Sequence, residues 1–183
     1  MRAVEVVFEV VWAALWVYWL VAALSRKKGR GGSWRRSLGV RLALVVVVIV
    51  LVNSGAFRGS RVHMNPWLAG DGLVLLVLGL GVCVWARVHL GRNWGSPMTQ
   101  KYDPELVTSG PYRSVRHPIY SGILVAVVGT AVALNWTILI VAALAAVFFV
   151  YSATVEERYM SEQFPDSYPQ YKRSSKMLVP FLF

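Results

Sequence analysis

The chain alternates long apolar runs with short, mostly basic connections, and that alternation constrains its fold more than any other feature. The runs cover about 4–24, 38–57, 67–88, 118–134 and 137–155. At 1.5 Å rise per residue, a helix of roughly twenty residues crosses the hydrocarbon of a bilayer. Lipid offers a backbone no hydrogen-bonding partners, so a spanning segment bonds within itself as a helix. That argument settles the second run, where Val45 to Val50 is wholly β-branched and would suggest a buried strand in water. Only Asn135-Trp136 separates the fourth run from the fifth, so these two form an antiparallel hairpin. The expected fold is an all-α integral membrane protein of about five transmembrane helices, one membrane domain over residues 1–183.

Composition agrees with this reading. Hydrophobic residues make up 56% of the chain and charged residues 15%, against about 25% charged in soluble domains. The net charge of +10 would point to nucleic acid in a soluble protein. Here the cations sit in the connections, where topology and anionic headgroups account for them, and no nucleic-acid partner is expected. Arg26, Lys27, Lys28, Arg30, Arg35 and Arg36 lie between the first two runs. Arg87, Arg92, Lys101, Arg113 and Arg116 lie around the connection from the third to the fourth, against Asp103 and Glu105. The intervening loop carries only Arg58 and Arg61. The positive-inside rule then puts the N-terminus outside and the C-terminal tail in the cytoplasm.

Smaller features leave two readings each, or one bland one. The first run reads as a retained helix and not a cleaved signal peptide, because it holds Glu5 and Glu9 and lacks a small-residue cleavage site. Those glutamates either reach the interface or line a polar seam between helices. Gly70, Gly72, Gly79 and Gly81 in the third run allow close approach of a neighbouring helix. Cys83, the lone cysteine, is a packing residue that forms no intrachain disulfide.

Two segments depart from the alternation, and charge counting places both on the cytoplasmic side. Residues 89–117 form a long connection with Pro97, Pro104 and Pro111, too rich in aromatic and apolar residues to suit a disordered linker. Within it and just beyond, Gly110, Pro111, Tyr112, Arg113, Arg116, His117, Pro118 and Tyr120 set two rigid turns, two guanidiniums, an imidazole and two phenols before a transmembrane helix. Arginine forks and helix-start amides both suit anions. The tail over 156–183 opens with Glu156-Glu157, adjacent carboxylates pointing about 100° apart on a helix, one available to a ligand and the other to a cation such as Arg113 or Arg116. Phe164, Tyr168 and Tyr171 follow as an aromatic patch, suited either to stacking on a ring ligand or to lying among headgroups. No metal site is expected, because His63, His89 and His117 are far apart and no zinc-binding pattern is present. Gly79-Leu80-Gly81 lies inside an apolar run and is no dinucleotide fingerprint.

The run from Leu106-Val107 through Gly110-Pro111-Tyr112-Arg113, Arg116-His117-Pro118, Tyr120 and Gly122, followed by Glu156-Glu157, Phe164, Tyr168 and Tyr171, resembles the isoprenylcysteine carboxyl methyltransferase family, within a wider group that includes membrane phospholipid methyltransferases. The resemblance covers roughly residues 89–183. It implies methyl transfer from S-adenosylmethionine, held at the cytosolic membrane face, to a lipophilic acceptor that enters from the bilayer. Carried over on the motif, His117, Tyr120 and Glu156 or Glu157 bind the cofactor, and Gly110, Pro111 and Tyr112 shape its wall. Arg92 and Arg173 are the candidates for gripping a substrate carboxylate. Carboxyl methylation of a prenylcysteine-like or other lipophilic acid leads. The alternatives are N-methylation of an amino-headgroup lipid, an NADPH-dependent sterol-type reduction, and a non-enzymatic scaffold or transporter.

Overall fold

The structure is a computed structural model describing residues 2–23, 65–94 and 105–182. The second apolar run, the basic connection before it, most of the loop after it and the middle of the long connection lie outside the described residues. The described chain is helical: α1 (Arg2–Ala23), α2 (Pro66–Leu90), α3 (Pro118–Leu134), α4 (Ile138–Gln163) and the short α5 (Ser167–Ser174), with 3-10 turns at Gly91–Asn93 and Gly110–Arg113. Of these, α1, α2 with its following turn, and α4 are long and apolar enough to cross a membrane, and α3 is a shorter apolar helix. The protein is therefore an integral membrane protein.

Local chemistry sets the helix ends. The Asn65 side chain accepts the amide of Trp67 at 3.0 Å, and Pro66 occupies the first turn, where its missing N–H costs nothing. Gly91 stops α2 at φ 52°, a left-handed conformation that glycine adopts most readily, and its amide reaches back to the carbonyls of Arg87 and Val88. Pro118 opens α3. Asn135 closes it, its side chain accepting the Thr137 amide at 2.8 Å in the tight turn expected there.

The fifth run, expected to end at Val155, continues as helix to Gln163. Glutamate, arginine, methionine and glutamine are all strong helix formers, so the change from apolar to polar at Glu156 is not a change of backbone. That extension keeps both glutamates on a rigid element.

The core is a close seam between α2 and α3. A Cβ placed on Gly72 would lie 2.5 Å from the Gly129 carbonyl oxygen, and one on Gly122 would lie 2.5 Å from the Gly79 carbonyl oxygen. Gly72 faces Gly129 and Gly79 faces Gly122, a seven-residue repeat on each antiparallel helix that brings the backbones into contact. Gly70 and Gly81 face open space, so only half of the glycine spacing serves helix packing. Cys83 is buried beside the seam and its thiol donates to the Ile119 carbonyl at 3.4 Å, as suits a packing residue. Helix α1 joins through Phe8 and Leu15, and Trp12 Nε1 donates to Thr130 Oγ1 at 3.1 Å. Val74, Val77, Leu78 and Val147 point outward, as lipid-facing residues do. Glu5 and Glu9 are exposed on α1, so among the described residues they line no polar seam.

Candidate cofactor site at the cluster end of the bundle

The site is built where the C-terminal tail returns to the start of α3. The amides of Arg116 and His117 donate to the carbonyls of Lys176 and Met177 at 2.8 and 3.1 Å, and the Lys176 amide donates to Ser114 at 3.0 Å. Val115 and Lys176 thus form a short parallel bridge. Ser121 Oγ donates to the Leu178 carbonyl one turn into α3. The segment before α3, read as a loop, is held by pairing with residues sixty positions away in sequence. No local pattern announces such a pairing.

That pairing aims the motif side chains at α4. Arg116 Nε meets Glu157 Oε1 at 2.6 Å, and Lys172 Nζ meets Glu157 Oε2 at 2.8 Å. Tyr120 donates its hydroxyl to Glu156 Oε1 at 2.6 Å. The His117 ring lies between the two carboxylates, Nδ1 at 3.5 Å from Glu156 and Nε2 at 3.6 Å from Glu157. It stacks on Tyr120, which stacks in turn on Phe149. His117, Tyr120, Glu156 and Glu157, four residues expected at the cofactor, therefore form one cluster. Glu157 is the carboxylate paired with cations, and Arg116 rather than Arg113 is its guanidinium partner.

Electrostatics follow from the geometry. Burial alone would lower the His117 pKa, but the two facing carboxylates outweigh it and raise it above its ordinary value of 6.5. Both separations exceed ordinary hydrogen-bond length, so the attraction is mainly between charges, and buried Nε2 makes no hydrogen bond. Glu157 is 4% exposed at its side chain and Glu156 27%, so the cluster has a sealed side and an open one.

Gly110, Pro111 and Tyr112 form the 3-10 turn that precedes the segment carrying Arg116 and His117. Gly110 has φ 58°, and His89 packs against it where a side chain would stand. Pro111 and Tyr112 are buried. Tyr168 and Tyr171 are buried too, which rules out the expected patch in headgroups or open to a ring ligand. Burial pushes the Tyr171 phenol up to about 12, and it donates to the Tyr112 carbonyl at 2.6 Å. These tyrosines are the packing that seats α5 under the motif.

Arg92 and Arg173, the candidates for a substrate carboxylate, are both exposed, Arg92 in the turn after α2 and Arg173 on α5. Neither is packed into the cluster. Arg87, in the sequence one more cation among those that set topology, is buried. Its guanidinium donates to the carbonyls of Gly91 and Ala22 at 2.6 and 3.0 Å and lies over the Trp94 ring. An arginine inside the last turn of an apolar run was the available signal. No group of residues suited to a metal ion occurs among the described residues.

Comparison with known proteins gives this arrangement relatives. The phospholipid methyltransferase family profile matches residues 68–167. Protein-S-isoprenylcysteine O-methyltransferase B of Arabidopsis thaliana is 31% identical over 76% of this chain and 72% of its own length. Protein-S-isoprenylcysteine O-methyltransferase A of the same plant is 32% identical over 69% of this chain and 65% of its own. The solved structure of the eukaryotic intramembrane Ras methyltransferase ICMT (isoprenylcysteine carboxyl methyltransferase) superposes with a TM-score of 0.59 at 24% identity, over 84% of this chain and 55% of that one, a likeness of fold. The chain thus spans about half to three quarters of these proteins. With the profile covering more than half of its length, this chain belongs to the phospholipid methyltransferase family, in its isoprenylcysteine carboxyl methyltransferase-like branch.

Proposed function

We propose that the protein is a membrane methyltransferase that uses S-adenosylmethionine to methylate the carboxylate of a lipophilic, prenylcysteine-like acid. The observation that carries this reading is the joining of Arg116, His117 and Tyr120 to Glu156 and Glu157 in one cluster at the end of the helical bundle. The residues suit the cofactor. Carboxylates accept the hydroxyls of a ribose and favour a nearby cation, stacked rings offer an apolar face, and His117 Nε2 is a buried polar atom without a hydrogen bond.

The bound cofactor supplies an electrophilic methyl on a sulfonium sulfur. Tyr120 fixes one oxygen of Glu156, leaving that carboxylate oriented and partly open. Glu157 is held by Arg116 and Lys172 and acts as the anchor that keeps His117 in place. Gly110, Pro111 and Tyr112 close the wall behind them. Positioning an acceptor in line with such a methyl supplies much of the rate. A carboxylate acceptor needs no base, and in this cluster both carboxylates are engaged by donors, which supports an acid over an amine. Arg92 or Arg173 would grip the acceptor carboxylate through a planar fork. An apolar chain entering sideways from lipid adds about 0.8 kcal/mol per buried CH₂.

The topology that goes with this reading has five spans, the N-terminus outside and the site facing the cytoplasm. Cysteine labelling from either side tests it, and cytoplasmic labelling at Ser60 would overturn it. The family description itself favours a second reading, an amino-headgroup phospholipid as acceptor. Detergent-solubilised protein should bind S-adenosylhomocysteine and not NADPH, and a labelled methyl donor with a lipid extract should label an acid-derived ester. Labelled amino-lipid would establish the second reading, and no binding of S-adenosylhomocysteine would end both.

A further inference from the structure

The tail that holds the motif also carries an exposed surface of its own. Beyond buried Leu178 it turns out at Val179, and Phe181 and Leu182 are 90% and 79% exposed. Immediately before it, Arg173 and Lys176 are exposed, and across the short parallel bridge so is Arg113. Cations and large apolar side chains therefore share one end of the molecule, on a segment whose backbone carbonyls at Ser175, Lys176 and Met177 hold Arg116 and His117.

We propose that this C-terminal tail is a docking surface for an anionic lipid leaflet, and that docking stabilises the cofactor site through the tail. The occupant follows from the chemistry. Guanidinium and ammonium groups recognise phosphate headgroups, and Phe181 and Leu182 seat at the boundary between headgroups and acyl chains. No water-soluble partner would need the apolar tip so close to the ends of membrane helices. Seated in the interface, the tip holds residues 176–178 against residues 114–117 and resists their separation. Free of lipid, the pairing rests on hydrogen bonds from Arg116, His117 and Ser121 to the carbonyls of residues 175–178 and on buried Leu178, and a segment held by so few contacts opens more readily than the helices. The coupling to the cofactor rests on the proposed function, whereas the docking itself does not.

The test uses full-length protein with Leu182→Cys labelled by an environment-sensitive fluorophore, since Cys83 is buried and out of reach of a bulky label. Nanodiscs of phosphatidylcholine alone are compared with discs containing about 30% phosphatidylglycerol, an anionic surface comparable to a cytoplasmic leaflet. Blue-shifted emission and protection from iodide in the anionic discs, reduced by high salt and by Arg113→Gln with Lys176→Gln, are expected. Emission that is the same in both discs and typical of water would overturn the docking. Affinity for S-adenosylhomocysteine should be about three- to tenfold higher in anionic discs, a difference that Phe181→Ser with Leu182→Ser removes. Docking without any change in affinity would overturn the coupling. Absence of S-adenosylhomocysteine binding in every disc would count against the proposed function, and the fluorophore would still decide whether the tail docks.

Discussion

The α2–α3 seam and the charged cluster at its end are neighbours held together in opposite ways. In the seam, backbone meets backbone at Gly72, Gly79, Gly122 and Gly129, with nothing between them. In the cluster, long side chains cross the gap between α3, α4 and α5, and opposite charges hold them. The seam tolerates no added volume but asks for no chemistry. The cluster has some freedom of shape, but a buried charge left without its partner is costly. The contrast fits a division of labour in which the seam fixes where α3 begins and the cluster decides what can bind there. Cys83 joins them, its thiol bonded to Ile119 in the first turn of α3.

The sharpest way to break the comparison is to add volume to the seam. Gly79→Leu pushes a branched side chain into the Gly122 carbonyl and the Ala126 backbone. The expected loss is about 3 kcal/mol or more, enough to remove most folded protein from detergent extracts. Gly81→Ala, where a Cβ meets nothing, should be neutral or slightly stabilising because alanine is the better helix former. Size-exclusion profiles and thermal melts of the two variants measure the difference. Equal behaviour would mean that the glycine faces do not meet.

Glu157→Gln should act at the other region. It leaves the shape nearly unchanged but removes the charge that Arg116 and Lys172 share. A charge-assisted contact is worth about 1.5–3 kcal/mol, or about 10- to 150-fold in affinity for S-adenosylhomocysteine by calorimetry. The melt should fall as well, because Arg116 is left buried without its counter-charge, so affinity is read on the folded fraction. Wild-type affinity in a folded Glu157→Gln protein would mean that this anchor does not bear on cofactor binding.

Arg92→Lys separates acceptor from cofactor. An ammonium keeps the charge and loses the fork, so S-adenosylhomocysteine affinity should hold while kcat/KM on a lipophilic acid falls about 10- to 100-fold, about 1.4–2.7 kcal/mol. Unchanged kcat/KM in Arg92→Lys and Arg92→Ala would dismiss the clamp. A parallel loss of cofactor affinity would put Arg92 in the other half of the site.

The seam and the cluster also differ in how far they could be read in advance. Helix positions follow from apolar length, and the bounds of α3 were legible because Pro118 and Asn135 are local signals. Gly72 and Gly79 could not be told from Gly70 and Gly81, since the face that meets α3 depends on a partner helix. In the cluster, His117, Tyr120, Glu156 and Glu157 were legible through the motif, but Lys172 was not. Its role depends on the return of the tail across Ser114 to His117, a contact no local pattern encodes. Tyr168 and Tyr171 were misread for the same reason, as aromatic residues in a polar tail look exposed until their cover is known. The second run and the basic connection before it remain expectations outside the described residues.

The smallest expected effect is a dependence on pH that belongs to the cluster and not to the seam. His117 sits between Glu156 and Glu157, and its pKa is raised above 6.5 in the folded protein. A group of this kind adds stability that is fully present below its unfolded pKa and is lost as pH rises through its folded pKa. The protein should therefore melt higher near pH 6 than near pH 9, and the decline should begin above pH 6.5. The imidazolium faces its two carboxylates beyond hydrogen-bond length, so the change in the melt should be the smallest of those expected here. Arg116 and Lys172 already compensate Glu157, which keeps the effect small. His117→Gln should flatten the decline by removing the titrating group, whereas Gly81→Ala should leave its shape unchanged. A decline of equal size in His117→Gln would assign the titration to another group and leave His117 neutral in the folded state. A stability that rises with pH through the same window would mean that burial, and not the carboxylates, governs the ring.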